Sequence, residues 1–517
     1  MAMTSLILLA PALLAIAAIV IFFEPVKRGG WQLRLPELAA LGALGLAGNA
    51  ALGLATDGPS VVGIGGNGAL MTIDIVSVSL MLMTALVGWV VLRFARVALD
   101  GEERQPAFMG WISLVLAAAL LLVSAATLSQ VVLGWVGIAA ALRPLLLFYA
   151  DRPGAERAAR KKALCDVVGG VALVIVAVML NTTFDTDRIA LISAALQDGA
   201  APDNIWIAAT LIAVAAVATS ALIPLHGWLT EVMEAPTPVS ALLHAGVVGA
   251  GGFLLIRFAD VMVAAPGVMA VLALIGGFSA LIGAAVALTQ PSVKTALAWS
   301  TCAQMGFMVL QCGLALFPLA LLHIVAHALY KAHAFLGSGG AVVAVSSIKR
   351  PGPVAVPGLA AVGRAFGLSL AMFVAIGLLF GITEKAPQTI ALGAILVFGI
   401  AYLVAQGLAD AAPKELTRRT AAMAAVATAA YFGLQTGADW LSAGTLPPPP
   451  APDGLAWAVI VLTVASFALA AFAQATFPLW AGHPAAAGMR VHLMNGLYLN
   501  ALSDRLIGRF TGKETRV

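Results

Sequence analysis

The chain has 517 residues, of which 61% are hydrophobic and only 10% charged, against roughly 25% charged in an average soluble domain. Such a composition excludes a water-soluble enzyme, and unbroken apolar runs such as Val171–Leu180 exclude a membrane β-barrel, whose strands alternate in polarity, so only membrane helices remain. The net charge of +4 carries no message about nucleic acid, because the Lys and Arg residues fall at helix ends, where membrane topology accounts for them.

At about 20 apolar residues per crossing, runs broken by charge, proline or glycine place fifteen spans. Nine lie near 5–23, 36–55, 75–95, 107–126, 128–149, 164–181, 205–225, 238–259 and 266–289. Six more follow near 296–313, 316–345, 359–380, 389–409, 420–437 and 456–477. The first run lacks the basic start and the small-residue cleavage site of a signal peptide, so it is read as a membrane helix. With the N-terminus outside, 23 of the 28 Lys and Arg residues fall on the inner side, which fixes the C-terminus inside as well. The outward loop 182–204 holds four aspartates against Arg188 alone. The organisation expected is three N-terminal spans in 1–106, a core over 107–410, further spans in 411–477 and a tail over 478–517. Within the tail, Met489–Phe510 is apolar enough for an amphipathic surface helix or a docking segment. Cys165, Cys302 and Cys312 sit in apolar surroundings without metal-ligand spacing and read as core thiols.

A charge at membrane depth costs at least about 2.5 kcal/mol, which makes titratable groups inside spans functional candidates. The eleventh span reads LLHIVAHALYKAHAFLGSGG, and its His323, His327 and Lys331 recur every four residues. At about 100° per residue they fall within an arc of about 80°, stacked over about 12 Å of one helix face. Histidine changes charge near neutral pH and a desolvated lysine is pulled toward that range, so this stripe predicts a proton relay. No carboxylate joins the stripe, which argues against a metal site there. In the seventh span Pro224 has no amide hydrogen and clashes with the preceding turn, so the helix must break or kink nearby. His226, Glu231 and Glu234 follow the break, the two glutamates either in a solvated loop or on an ion path, and His244 lies inside the next apolar run. Asp166 either caps the inner end of its helix near Lys161 and Lys162 or belongs to the path. Arg143 either snorkels to an interface or joins it. Glu384 and Lys385 are either outer-surface residues or the end of a broken helix.

Three stretches carry a resemblance: PLHGWLTEVMEAPTPVSALLHAG (224–246), VKTALAWSTCAQMGFM (293–308) and LLHIVAHALYKAHAFL (321–336). They are similar to the signature segments of the antiporter-like membrane subunits of respiratory complex I, multi-subunit Na⁺/H⁺ antiporters, membrane-bound hydrogenases and inorganic-carbon accumulation complexes. The resemblance covers about residues 70–410. It implies an all-α polytopic fold with two inverted five-helix repeats, each with a broken helix, and a central line of titratable residues. By position it implies proton-path roles for Glu234, His244, Lys294, His323, His327 and Lys331. Two departures stand out. Proton-pumping members carry a glutamate after the Gly-Trp of the fifth span, where this chain has Val136 after Gly134–Trp135, and a lysine where it has Thr219. Losing both together is electrostatically consistent, since either alone would leave a buried charge unpaired. The twelfth span lacks the family's double proline, although Gly377 and Gly381 would permit a break.

The tail MRVHLMNGLYLNALSDRLIGRF resembles that of the DabB-type membrane subunits of inorganic-carbon accumulation complexes. That resemblance implies a multi-pass subunit of a bacterial inner membrane with a cytoplasmic, zinc-binding partner of the DabA type. Ion flow, most simply of H⁺, would drive hydration of CO₂ to bicarbonate in the partner, while this chain holds no cofactor and is not itself the enzyme. The alternatives are a proton-pumping subunit of a respiratory NADH-quinone oxidoreductase or hydrogenase complex, and a Na⁺/H⁺ antiporter subunit.

Overall fold

The computed structural model describes residues 4–23, 30–63, 68–341, 358–407 and 414–511. Lys27, Arg28, Lys349, Arg350, Lys513 and Arg516, counted in the topology reading, and the end of the expected span 316–345 lie outside the described residues. The first six main helices are α1 (Leu9–Phe23), α2 (Leu35–Asp57), α3 (Ile75–Ala98), α4 (Gln105–Val123), α5 (Leu128–Leu146) and α6 (Pro153–Phe184). A short α7 (Ile189–Gln197) lies in the outward loop, followed by α8 (Ile205–Thr219), α9 (Thr237–Ala245) and α10 (Ala250–Arg257). Then come α11 (Pro266–Ala287), α12 (Val293–Gly313), α13 (Phe317–Leu336), α14 (Leu359–Leu379), α15 (Pro387–Gly407), α16 (Lys414–Ser442) and α17 (Gly454–Ala475). The tail forms α18 (Pro484–Met494) and α19 (Leu499–Thr511). The fold is thus all-α and polytopic, with one small exception. The glycine-rich loop before α3 holds an antiparallel pair, β1 (Ser60–Val62) and β2 (Met71–Ile73), where no strand was expected.

Among the described residues each of the fifteen apolar runs falls largely on helix, and eleven helices are long and apolar enough to cross a membrane. Among the other four, α8 is only 15 residues long, while α12 is interrupted by Lys294, Ser300, Thr301, Gln304 and Gln311. The seventh span ends earlier than expected, at Thr219, and the chain turns without helix through Ser220–His226. Pro224 lies inside that turn, and the fully buried Ala221 has φ +50, a conformation in which a helix cannot continue. The eighth span is broken as well, since α9 and α10 are separated by a tight turn at Val247–Gly249. Beyond the first break, Pro236 holds extended geometry and Pro238 sits in the first turn of α9.

Helix starts are set by side chains that satisfy the first free amides. Asp74 accepts from the Ser77 amide at 2.8 Å, and Thr127 and Gln130 form a second reciprocal cap at α5. Asp74 also receives the Arg257 guanidinium from the end of α10 at 2.5 Å, both side chains being 8% exposed. Burial alone would raise the Asp74 carboxyl, but Arg257 and the Ser77 hydrogen bonds outweigh it and hold it below the usual carboxylate range. One apolar core runs from α1 through α13, while α14–α17 pack in smaller clusters beside it. The tightest helix pair is α11 with α12. A side chain begun on Gly306 would stand 2.5 Å from the Ala280 amide, and one on Gly276 or Gly313 equally close to the amide of Leu310 or Ala273. Four glycines, counting Gly283, therefore bring the two backbones into contact, as small residues do at membrane helix interfaces.

Candidate functional site

Helices α9 and α12 both pack against α13, and side chains of α9 and α12 meet between them, so their facing sides carry the polar residues of the interior. Lys331, 1% exposed, donates from Nζ to the Leu297 carbonyl at 3.0 Å and hydrogen-bonds the Ser300 hydroxyl. The same Leu297 carbonyl accepts from the Thr301 hydroxyl at 3.0 Å, and Thr301 Oγ1 lies 3.1 Å from His244 Nδ1. One carbonyl thus joins the lysine of α13 to the histidine of α9. His244 is fully buried and stacks on Phe335 at 4.2 Å, which fixes the ring plane. His327 follows on α13, with its ring 6.1 Å from that of His323, whose Nδ1 lies 2.9 Å from Gln311 Oε1. His244 Nε2 and His327 Nε2 are buried without a protein hydrogen-bond partner. Two unpaired imidazole nitrogens in a buried site are places for water, because leaving them bare costs about 1–3 kcal/mol each. His333 is exposed and faces away from the stripe.

At the other end of α12, Lys294 Nζ donates to Thr237 Oγ1 at 3.1 Å. Lys294, Thr237, the His244–Thr301–Lys331 centre, His327 and His323–Gln311 therefore follow one another along α12, over about 26 Å from Lys294 to Gln311 at 1.5 Å per residue. This arrangement can pass a proton between titratable groups through hydroxyls and water, in the manner of a relay.

Around the first break stands a second set of charges. Glu231 Oε1 accepts from Lys161 Nζ at 2.7 Å, and its other oxygen is buried without a partner. Burial lifts the Glu231 carboxyl above its usual range, against the pull of Lys161. Glu234 meets Arg152 at 3.1 Å, with both side chains nearly half exposed. Asp166 pairs with Lys162 one turn earlier on α6, and the Lys162 ammonium lies 4.9 Å from the centre of the Trp228 ring. Arg143 is exposed at the wall of an apolar groove between α5 and α6. Glu384 is exposed in the turn after α14, beyond the left-handed Gly381, and Lys385 precedes α15; the structure does not bring either to the line through α12 and α13. Val136 is 53% exposed and Thr219 3% exposed. Among the described residues no group of three or more His, Cys, Asp or Glu is placed to hold a metal ion.

Ser300, Thr301 and Gln311 are functional-site residues beyond the candidates that the sequence pattern offers. Their signal was there, as polar side chains interrupting the apolar run of α12. The Lys161 pairing to Glu231 joins residues far apart in the chain, and no local pattern announces it.

The sequence pattern of the NADH:quinone oxidoreductase/Mrp antiporter transmembrane family matches residues 125–383. A relative from Halothiobacillus neapolitanus, named "probable inorganic carbon transporter subunit DabB2", is 37% identical over 434 residues, covering 81% of this chain and 77% of the relative. NADH-ubiquinone oxidoreductase chain 5 of Metridium senile is 35% identical over 254 residues, covering 49% of this chain and 42% of the relative. Among solved structures, a chain of the Mrp complex from Dietzia sp. matches 99% of this chain and 60% of its own length, with a TM-score of 0.62 at 22% identity, a likeness of fold.

Proposed function

Because this chain belongs to the NADH:quinone oxidoreductase/Mrp antiporter transmembrane family, and to its DabB-type branch, we propose that it conducts H⁺ to drive the accumulation of inorganic carbon. It is a multi-pass membrane subunit of a transporter. In this reading it lies in a bacterial inner membrane, N-terminus outside and C-terminus in the cytoplasm, with a zinc-binding DabA-type subunit docked on the cytoplasmic side. The partner hydrates CO₂ to bicarbonate, and downhill ion flow through this chain makes that hydration one-directional. Lys331 and His244 form the central exchange point, His327 and His323 lead toward one face, and Lys294 toward the other. Glu234, with Asp166, serves the charged end near the break, whereas Glu384 and Lys385 would act at the far end of α14.

The observation that carries this reading is the line of buried Lys331, His244 and His327 with part-buried His323, retained while the first-repeat glutamate and lysine are replaced by Val136 and Thr219. The extent of similarity points the same way, since the DabB2 relative aligns with 81% of this chain and the oxidoreductase subunit with 49%. The test is bicarbonate accumulation by cells carrying this chain and its partner. Uptake should collapse when a protonophore removes the H⁺ gradient while electron transport is kept running. A redox-driven pump behaves oppositely, because uncoupling relieves back-pressure on its electron transfer. Uptake that persists undiminished after the H⁺ gradient is gone overturns the proposal.

A further inference from the structure

We propose that the tail Pro484–Thr511 is a strap that closes the charged end of the break between α8 and α9, with the Asp504–Lys161 ion pair as its latch. Its effect on conduction rests on the ion-path reading above; the closure itself does not. A break of this kind leaves turns of backbone without intrahelical partners, and something must cover them. Here the tail does. Its Met494 carbonyl accepts from Gln290 Nε2 at 3.3 Å, where α11 gives way to α12. The chain then kinks through Gly496, Leu497 and Tyr498, all at positive φ, and presses Gly496 onto Trp299 so closely that a side chain begun there would stand 2.7 Å from the ring. Leu493 and Leu499, on either side of the kink, pack with Ile223, Val286 and Trp299.

From the kink, α19 crosses the break itself. Asn500 Nδ2 donates to Thr230 Oγ1 at 3.1 Å, and Asn500 Oδ1 lies 2.7 Å from where a side chain on Gly227 would begin. One turn on, Asp504 Oδ1 takes the Lys161 ammonium at 2.9 Å, the same ammonium that Glu231 holds at 2.7 Å. Lys161 is thus shared between a carboxylate of the break and a carboxylate of the tail. Beneath the strap Trp228 and Leu229 are fully buried, Thr230 is 7% exposed and the Lys161 side chain 6%, while Asp504 keeps 29% of its side chain in contact with solvent. A partly exposed latch over a buried mouth is one that solvent or a bound protein reaches first. Releasing Asp504 leaves Lys161 wholly to Glu231 and uncovers both.

The experiment uses the full chain in membranes, with Thr230→Cys as reporter and a water-soluble maleimide as probe. Cys165, Cys302 and Cys312 are buried and contribute little background. Labelling at position 230 should be slow, should rise about fivefold when Asp504→Ala is added, as expected for loss of one partly exposed ion pair, and should return to the slow rate with Asp504→Glu. Equal labelling rates with and without Asp504→Ala overturn the strap. A second arm pairs Gly227→Cys with Asn500→Cys and follows proton flux in proteoliposomes. Flux should fall several-fold on oxidation and recover on reduction. Flux indifferent to the lock overturns closure of the path. If neither the unmodified chain nor any variant carries flux, the conduction reading fails, and the labelling rates still decide the strap.

Discussion

Lys331 is the residue at the centre of the interior, tying α13 to α12 through the Leu297 carbonyl and the Ser300 hydroxyl. Lys331→Ala should abolish growth of a carbon-uptake-deficient host at ambient CO₂ while the protein still accumulates in the membrane; normal growth would remove the relay. Thr301→Val should impair the same growth and Thr301→Ser should not, since only the hydroxyl links His244 to the Leu297 carbonyl. Charge pairs differ by burial. Arg257→Ala abandons a buried Asp74 and should cost about 3–5 kcal/mol, seen as a large drop in unfolding temperature in detergent. Arg152→Ala breaks a half-exposed pair with Glu234 and should cost less than about 1 kcal/mol. Asp74 is held below the usual carboxylate range, so its contribution is present above that range and is lost as pH falls through its folded value. The penalty of Asp74→Asn should therefore shrink on acidification.

At the level of elements, the stripe on α13 was legible because three titratable residues at a four-residue spacing have no apolar explanation. The break at Pro224 was legible for an equally local reason. The second break, at Val247–Gly249, was not, because glycine-rich AGVVGAGG reads like the many glycines that merely let membrane helices approach. Ser300 and Thr301 were overlooked because helical hydroxyls commonly bond their own preceding turn, as Thr301 does to Leu297. The glycine seam offers a sharp contrast. Gly306→Ala places a methyl group 2.5 Å from the Ala280 amide and should destabilise by about 1–3 kcal/mol or prevent insertion. Gly277→Ala, one residue from Gly276 but with nothing within 4 Å, should be neutral in membrane yield and thermal unfolding.

For the whole molecule, the composition was enough to establish a polytopic helical protein, since nothing else can spend 61% of its residues on apolar side chains in runs of this length. The placement of the tail could not be read, because the contact of Asp504 with Lys161 joins residues more than 300 positions apart in the chain. If the partnership proposed here is right, tagged full-length chain purified in mild detergent should bring down one large zinc-containing protein, and the zinc should leave with that partner when the two are separated. The glycine seam between α11 and α12 has a mechanical side. Backbones in contact at Gly276, Gly283, Gly306 and Gly313 have no side-chain layer to shear, so the two helices are a stator that cannot slide. In the conduction reading, a stroke that admits water alternately from the two faces would then fall to the opposite wall, α13 and the twice-broken segment of α8 to α10. In that reading, Ser300 and Thr301 on the stator would be the stationary contacts against which Lys331 and His244 make and break.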